Sequence, residues 1–195
     1  MLLHKGTREL CTKRLKLRKY MLSDAIYMYK NYASDERVTR FLTWTPYKCI
    51  EDVESFLADR IAEYAYENMY HWAIELEGEI IGSISTTFID EKNHSCEIGY
   101  CIGHDYWNKG FTSEAFIAVI DFLFDEIGIN RIMAKHDIEN PASGKVMLKC
   151  NMTYEGTLRK HYLRFDGTYS DSLVYSILKS DFLPISGGIT KQHEQ

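Results

Sequence analysis

Cysteines spaced for a metal or a redox pair are missing from this sequence. The five present, Cys11, Cys49, Cys96, Cys101 and Cys150, are odd in number and scattered. With no Cys-x-x-Cys and no paired histidines, they argue against a disulfide framework and against a zinc site. No bound metal is expected. No apolar run approaches the ~20 residues of a membrane helix, so no membrane partner is expected. The opening Met1-Leu2-Leu3-His4-Lys5 leads into charged sequence without a signal-peptide core, and a reduced, cytoplasmic location follows. A basic block is missing too. The formal net charge of -5 argues against a broad nucleic-acid face and suits a cationic substrate.

Aromatic residues are plentiful, with 14 Tyr, 9 Phe and 3 Trp. They read mainly as core and rim filling, with a tyrosine-lined cleft as the alternative. An apolar fraction of 45% supplies a normal core. The length suits one domain, over residues 1–183. The stretch from Pro184 to Gln195 contains Gly187-Gly188, ends polar and reads as a frayed tail.

Leu15 and Leu17 alternate with basic residues as in a strand. Ser23-Asp24 opens a helix, and the chain then runs through Val38–Trp44 to Pro46, which breaks regular structure. Val53, Phe56, Leu57, Ile61, Tyr64 and Ala65 fall at helical spacing, giving an amphipathic helix from Glu51 to about Glu67. Glu77-Gly78 joins strand-like runs Tyr70–Leu76 and Glu79–Ile89 as a hairpin. A strand over Cys96–Ile102 follows, then a helix from about Thr112 to Glu126 that stops near Gly128. Arg131–His136 is a strand, Ala142–Lys149 a short helix, and Asn151 suits a left-handed cap. Thr153–Leu163 and Tyr169–Leu178 are the last strands, joined by Asp166-Gly167. The fold class is mixed α/β (α+β): about seven strands in a largely antiparallel sheet, flanked by about four helices.

The densest chemical signal is Tyr106-Trp107-Asn108-Lys109-Gly110-Phe111-Thr112-Ser113-Glu114-Ala115. It is a Lys–Gly loop between an apolar strand and a helix. Unpartnered N–H groups and the helix dipole favour an anion there. Gly110 permits close backbone approach and Lys109 adds charge. The P-loop spacing is missing, which argues against a nucleotide-binding loop.

Read in order, the landmarks resemble the GNAT-type acetyltransferases, and among them the RimJ/RimL branch that acetylates ribosomal-protein N-termini. They are Thr12-Lys13-Arg14-Leu15-Lys16-Leu17-Arg18, Tyr32-Ala33-Ser34-Asp35, Ile81-Gly82-Ser83-Ile84, Glu97-Ile98-Gly99-Tyr100, Tyr106–Phe111, Glu139-Asn140-Pro141-Ala142-Ser143 and Tyr154-Glu155-Gly156-Thr157-Leu158-Arg159. The resemblance spans roughly Arg14 to Lys179. It implies acetyl-CoA as cosubstrate, a sheet splayed at the cofactor cleft, and direct acetyl transfer to a primary amine. That amine is either a protein N-terminus or a small molecule such as a polyamine, amino acid or aminoglycoside. A CoA-binding regulatory module without turnover is the reading from another class. Monomer and homodimer both remain open.

The resemblance also assigns residues. Cofactor contacts fall to Ile98, Gly99, Tyr100, Cys101, Ile102, Trp107, Asn108, Lys109, Gly110, Phe111, Thr112, Ser113, Asn140 and Ser143. In the family's loop motif (Gln or Arg, two residues, Gly, one residue, Gly or Ala), Trp107 and Thr112 depart, while Gly110 matches. Asn108 stands where this branch often has Gly. These departures bear on cofactor affinity, not identity. A backbone N–H near Tyr100 to Ile102 would polarise the thioester carbonyl. Glu97 is the candidate base, with an exposed edge-strand glutamate as the alternative. Asn140 and Ser143 are catalytic candidates, Ser143 as proton donor to the leaving sulfur; both are also helix-start residues. Lys145 reads as a solvated lysine or a phosphate contact. Trp44, Tyr47, Tyr70, His71 and Tyr162 are substrate-side candidates that packing would equally explain. His104 and His136 are weaker base candidates. A covalent acetyl-enzyme at Cys101 is not needed for direct attack.

Overall fold

Glu77 and Gly78 adopt φ of 52° and 88°, the left-handed pair of a tight hairpin turn. They join β3 (His71–Leu76) to β4 (Glu79–Asp90). This hairpin is the middle of an eight-stranded open sheet in the computed structural model, which describes residues 1–182. The expected tail over 184–195 lies outside the described residues. The other strands are β1 (Leu10–Cys11), β2 (Lys16–Arg18), β5 (Ser95–Ile102), β6 (Arg131–Asp137), β7 (Thr153–Leu163) and β8 (Tyr169–Leu178). Their order is β1-β2-β3-β4-β5-β6-β8-β7. All neighbours run antiparallel except β5 and β6.

Five α-helices cover the sheet: α1 (Ala25–Met28), α2 (Glu36–Thr39), α3 (Ile50–Glu63), α4 (Phe111–Phe122) and α5 (Pro141–Lys149). Side chains alternate across each strand. Trp72 and Ile74 therefore enter the core under α4 with Phe116, Val119 and Ile120. Ala73 faces the opposite way, into a second core with Met28, Tyr32, Val53 and Leu57. The helix expected over 112–126 is α4 followed by a wider π turn, Leu123–Ile127. It ends at Gly128, whose φ is 86°. No helix among the described residues is long and apolar enough to cross a membrane.

The functional consequence lies between β5 and β6. β5 pairs with β4 along its length, from Asp90↔Ser95 to Gly82↔Ile102. It pairs with β6 only at Ser95↔Arg131, Cys96↔Ile132 and Glu97↔Met133. From Ile98 onward the two strands part, as the expected splay requires.

Candidate active site

The parting leaves one edge of β5 without a partner strand. In an antiparallel ladder, successive residues aim their N–H and C=O to opposite edges. Gly103 N–H donates to Ile81 C=O at 2.8 Å, and Cys101 and Gly99 share its register toward β4, opposite Ser83 and Ser85. The backbone groups of Ile98, Tyr100 and Ile102 therefore face the gap. One of them is already used: the Trp107 indole N–H donates to Ile102 C=O at 2.9 Å, pinning the loop to the strand end.

Beyond that pin, the loop turns through two left-handed residues, Asn108 (φ 61°) and Gly110 (φ 81°). The bend brings the chain onto α4 with its first amides uncommitted. Among the described residues, no acceptor meets the backbone N–H groups of residues 108–113. The first helical bond there is Glu114 N–H to Gly110 C=O. An edge with spare backbone groups followed by a ring of spare amides suits an arm carrying amides and ending in a diphosphate.

Two cavities meet at the gap. One encloses about 420 Å³ and takes in the 107–113 loop, the start of α5, and Lys145 and Lys149 of the same helix. The other encloses about 460 Å³ and takes in Glu97, Ile98, Gly99, Lys135, His136, His161 and Tyr162. Phe41, Leu42, Tyr100, Cys101, Asn140 and Ser143 line both. These six mark the junction, where a group delivered from one side meets a group delivered from the other.

The polar groups at the junction are interlocked. The Tyr100 hydroxyl donates to Ser143 C=O at 3.0 Å and lies 2.9 Å from the Ser143 hydroxyl. Burial pushes the Tyr100 hydroxyl far above its ordinary pKa, against the opposing hydrogen bond with Ser143, and keeps it protonated. Asn140 caps α5, its side chain accepting from Ser143 N–H at 3.3 Å. Cys101 Sγ lies 3.2 Å from Ser83 Oγ, and burial raises its thiol pKa, which disfavours a thiolate nucleophile. In the second cavity the Glu97 carboxylate pairs with Lys135 at 3.0 Å. Asp137 pairs with Arg164 at 2.7 Å.

Most of the residues expected from sequence thus come together. Ile102, Trp107, Asn108, Gly110, Thr112 and Ser113 line the first cavity. Glu97, Ile98, Gly99, Trp44 and Tyr162 line the second. Phe111 instead turns into the core, with the Arg14 guanidinium 4.3 Å above its ring, and Lys109 reaches toward the Tyr106 ring at 5.7 Å. Neither lines either of these two cavities, nor do Tyr47, Tyr70 and His71. Tyr70 is fully buried and stacked on Trp72, Tyr47 stacks on Trp44, and His71 pairs with Glu63 at 3.1 Å. Sequence reasoning missed Phe41, Leu42, Lys135 and His161. Lys135 lies two residues beyond Met133, the partner of Glu97 on β6, a pairing that carries no local sequence signal.

The acetyltransferase (GNAT) domain family matches residues 14–153. The N-acetyltransferase p20 of Bacillus licheniformis, itself uncharacterized, is 34% identical over 176 residues, 89% of this chain and 97% of its own length. The [ribosomal protein uS5]-alanine N-acetyltransferase of Escherichia coli is 32% identical over 109 residues, 55% of this chain and 56% of the relative. Among solved structures, the microcin C7 self-immunity acetyltransferase MccE, in complex with acetyl-CoA and AMP, superposes with a TM-score of 0.77 at 25% identity, covering 85% of this chain and 93% of that one. The chain belongs to the GNAT acetyltransferase family and is an acetyl-CoA-dependent N-acetyltransferase.

Proposed function

We propose that the acceptor is the α-amine of a protein or peptide N-terminus, acetylated by direct attack in a ternary complex. The observation that carries this reading is the charge state of the acceptor cavity. Both of its carboxylates already hold a cation, Glu97 through Lys135 and Asp137 through Arg164. A polyamine, with several charges to neutralise, gains little there. A single amine followed by uncharged backbone suits a wall of hydroxyls such as Ser83, Ser85, Thr87 and Ser172. The likeness to the uS5-alanine acetyltransferase supports the same choice.

Acetyl-CoA supplies an acyl carbon activated as a thioester. The chain's own part is to hold, polarise and move protons. The free edge of Ile98, Tyr100 and Ile102 pairs with the pantetheine arm, and the amides of residues 108–113, with Trp107, Gly110, Thr112 and Ser113 around them, take the diphosphate. A backbone N–H of Tyr100 or Ile102 polarises the carbonyl; one such donor contributes about 3 kcal/mol. Glu97 lies three residues back along the strand from Tyr100 and five from Ile102, about 10–17 Å. It therefore receives the ammonium proton through water in the cavity. Asn140 holds the first turn of α5, and Ser143 on that turn turns from Tyr100 to relay a proton, taking the second one lost by the attacking nitrogen through cavity water as it passes its own to the leaving sulfur.

A thiol-release assay with N-terminal peptides set against polyamines, amino acids and aminoglycosides tests the acceptor. Peptides are expected to give the highest kcat/KM. Faster turnover of polyamines would assign a small-molecule enzyme, and tight CoA binding with no product from any amine would assign a module without turnover.

A further inference from the structure

The sequence landmark Thr12-Lys13-Arg14-Leu15 lies outside both cavities, yet Thr12 and Arg14 reach the cofactor loop and the first turn of α4. Arg14 Nε donates to Glu114 Oε2 at 2.7 Å, and Arg14 Nη2 lies at the same distance from that oxygen. The Arg14 backbone N–H and the Thr12 hydroxyl both donate to Glu114 Oε1, at 2.9 and 2.6 Å. Arg14 Nη1 donates to the carbonyl of Lys109 at 3.0 Å. Its guanidinium covers the Phe111 ring, and a Cβ added at Gly110 would stand 3.5 Å from Nη2. One arginine therefore touches Lys109 and Phe111, on either side of Gly110, and the carboxylate in the first turn of α4.

Glu114 is the reason such a clasp matters. A carboxylate in the first helical turn repels a second anion brought to the same helix start. Burial acts to raise the Glu114 pKa, but hydrogen bonds from Thr12 and Arg14 outweigh it and hold the pKa below the usual carboxylate value. The carboxylate is thus ionised at neutral pH, next to amides suited to a diphosphate.

We infer that Arg14 is a positioning residue for the cofactor: it neutralises Glu114 and fixes the Lys109–Phe111 turn, so that the loop amides donate to a diphosphate. The inference rests on the assignment of the first cavity to CoA. It gives the β1–β2 connection a role in cofactor binding.

Calorimetry with CoA, alongside thermal melts, tests it. Wild type binding is the control for the assignment itself; a wild type that does not bind CoA overturns that reading, and the inference with it. R14A is expected to bind CoA about tenfold more weakly. R14A/E114Q should recover most of that loss, because the unneutralised charge is gone. E114Q alone should bind at least as tightly as wild type, since glutamine still accepts from Thr12 and the Arg14 amide. A purely structural role predicts the opposite order, with the double variant worst. If R14A does not fold, E114Q and R14K decide: E114Q tenfold weaker than wild type overturns the inference, and R14K within threefold of wild type supports it. R14A with wild-type affinity, or no recovery in the double variant, also overturns it.

Discussion

Gly144 sets how closely α5 approaches β6. A Cβ added there would stand 2.6 Å from His136 Nε2, well inside van der Waals contact. The ring is held where it stands, 7% exposed, bonded through Nδ1 to Asp137 C=O at 2.8 Å and stacked on Tyr175. A carbonyl only accepts, so Nδ1 carries the proton of that bond, and Nε2 is the atom turned toward the helix. Gly144→Ala must therefore move α5, and Ser143 with it. The expected cost is about 1–3 kcal/mol in urea unfolding, with a drop in kcat larger than any change in CoA affinity. Unchanged stability would show that the helix backbone gives way freely. Glu97→Gln belongs to the same scale. It removes the proposed proton acceptor from the acceptor cavity, so kcat/KM should fall about 10²–10⁴-fold while calorimetric CoA affinity holds. An equal fall in CoA affinity would place Glu97 in cofactor binding instead.

At the scale of elements, the loop-to-helix start decides cofactor binding. Gly110 holds φ at 81° as the residue before α4, a conformation that costs an L-residue about 1–2 kcal/mol. Gly110→Ala is expected to lower the melting temperature and to weaken CoA binding together, whereas an effect on stability alone would separate the turn from the site. This loop was legible in the sequence because its signals are local: a strand, a Lys–Gly pair, then helical spacing. Local signals also placed β7 and β8, whose bounds match the Thr153–Leu163 and Tyr169–Leu178 runs around Asp166-Gly167, and the cap at Asn151, whose φ is 59°. The two-residue β1 carries too little alternation to be read, and it makes the sheet eight strands rather than about seven. Short α2, Glu36–Thr39, was hidden because it straddles the start of the Val38–Trp44 stretch and is only one turn long. The partners Lys135 for Glu97 and Arg164 for Asp137 depend on strand pairing distant in sequence. So does the placement of Phe41 and Leu42 at the junction of the cavities.

At the scale of the molecule, the sheet is two halves, β1 to β5 and β6-β8-β7, joined by three pairs of residues at β5 and β6. Contacts across the opening tie the halves a second time. Arg40 reaches Glu139 at 3.3 Å, and the Tyr162 hydroxyl donates to Leu42 C=O at 2.7 Å. The anchor on the far half is Asp137, whose carboxylate takes Arg164 through two bonds, at 2.9 and 2.7 Å, and the Glu139 amide at 2.8 Å. Burial would raise the Asp137 pKa, but these bonds outweigh it and hold the value below the usual carboxylate range. A carboxyl whose pKa is depressed on folding contributes stability that is present above its unfolded value, near 4, and lost as pH falls through the lower folded value. Asp137→Asn is therefore expected to be less stable than wild type at pH 7, with the gap narrowing as urea unfolding is repeated from pH 5 down to pH 3. Glu114 and Glu155, also held low by arginine and hydroxyl partners, titrate in both proteins and cancel from the comparison. A gap that stays constant with pH would mean that Asp137 acts through its shape and hydrogen bonds, with its charge contributing nothing to holding the two halves together.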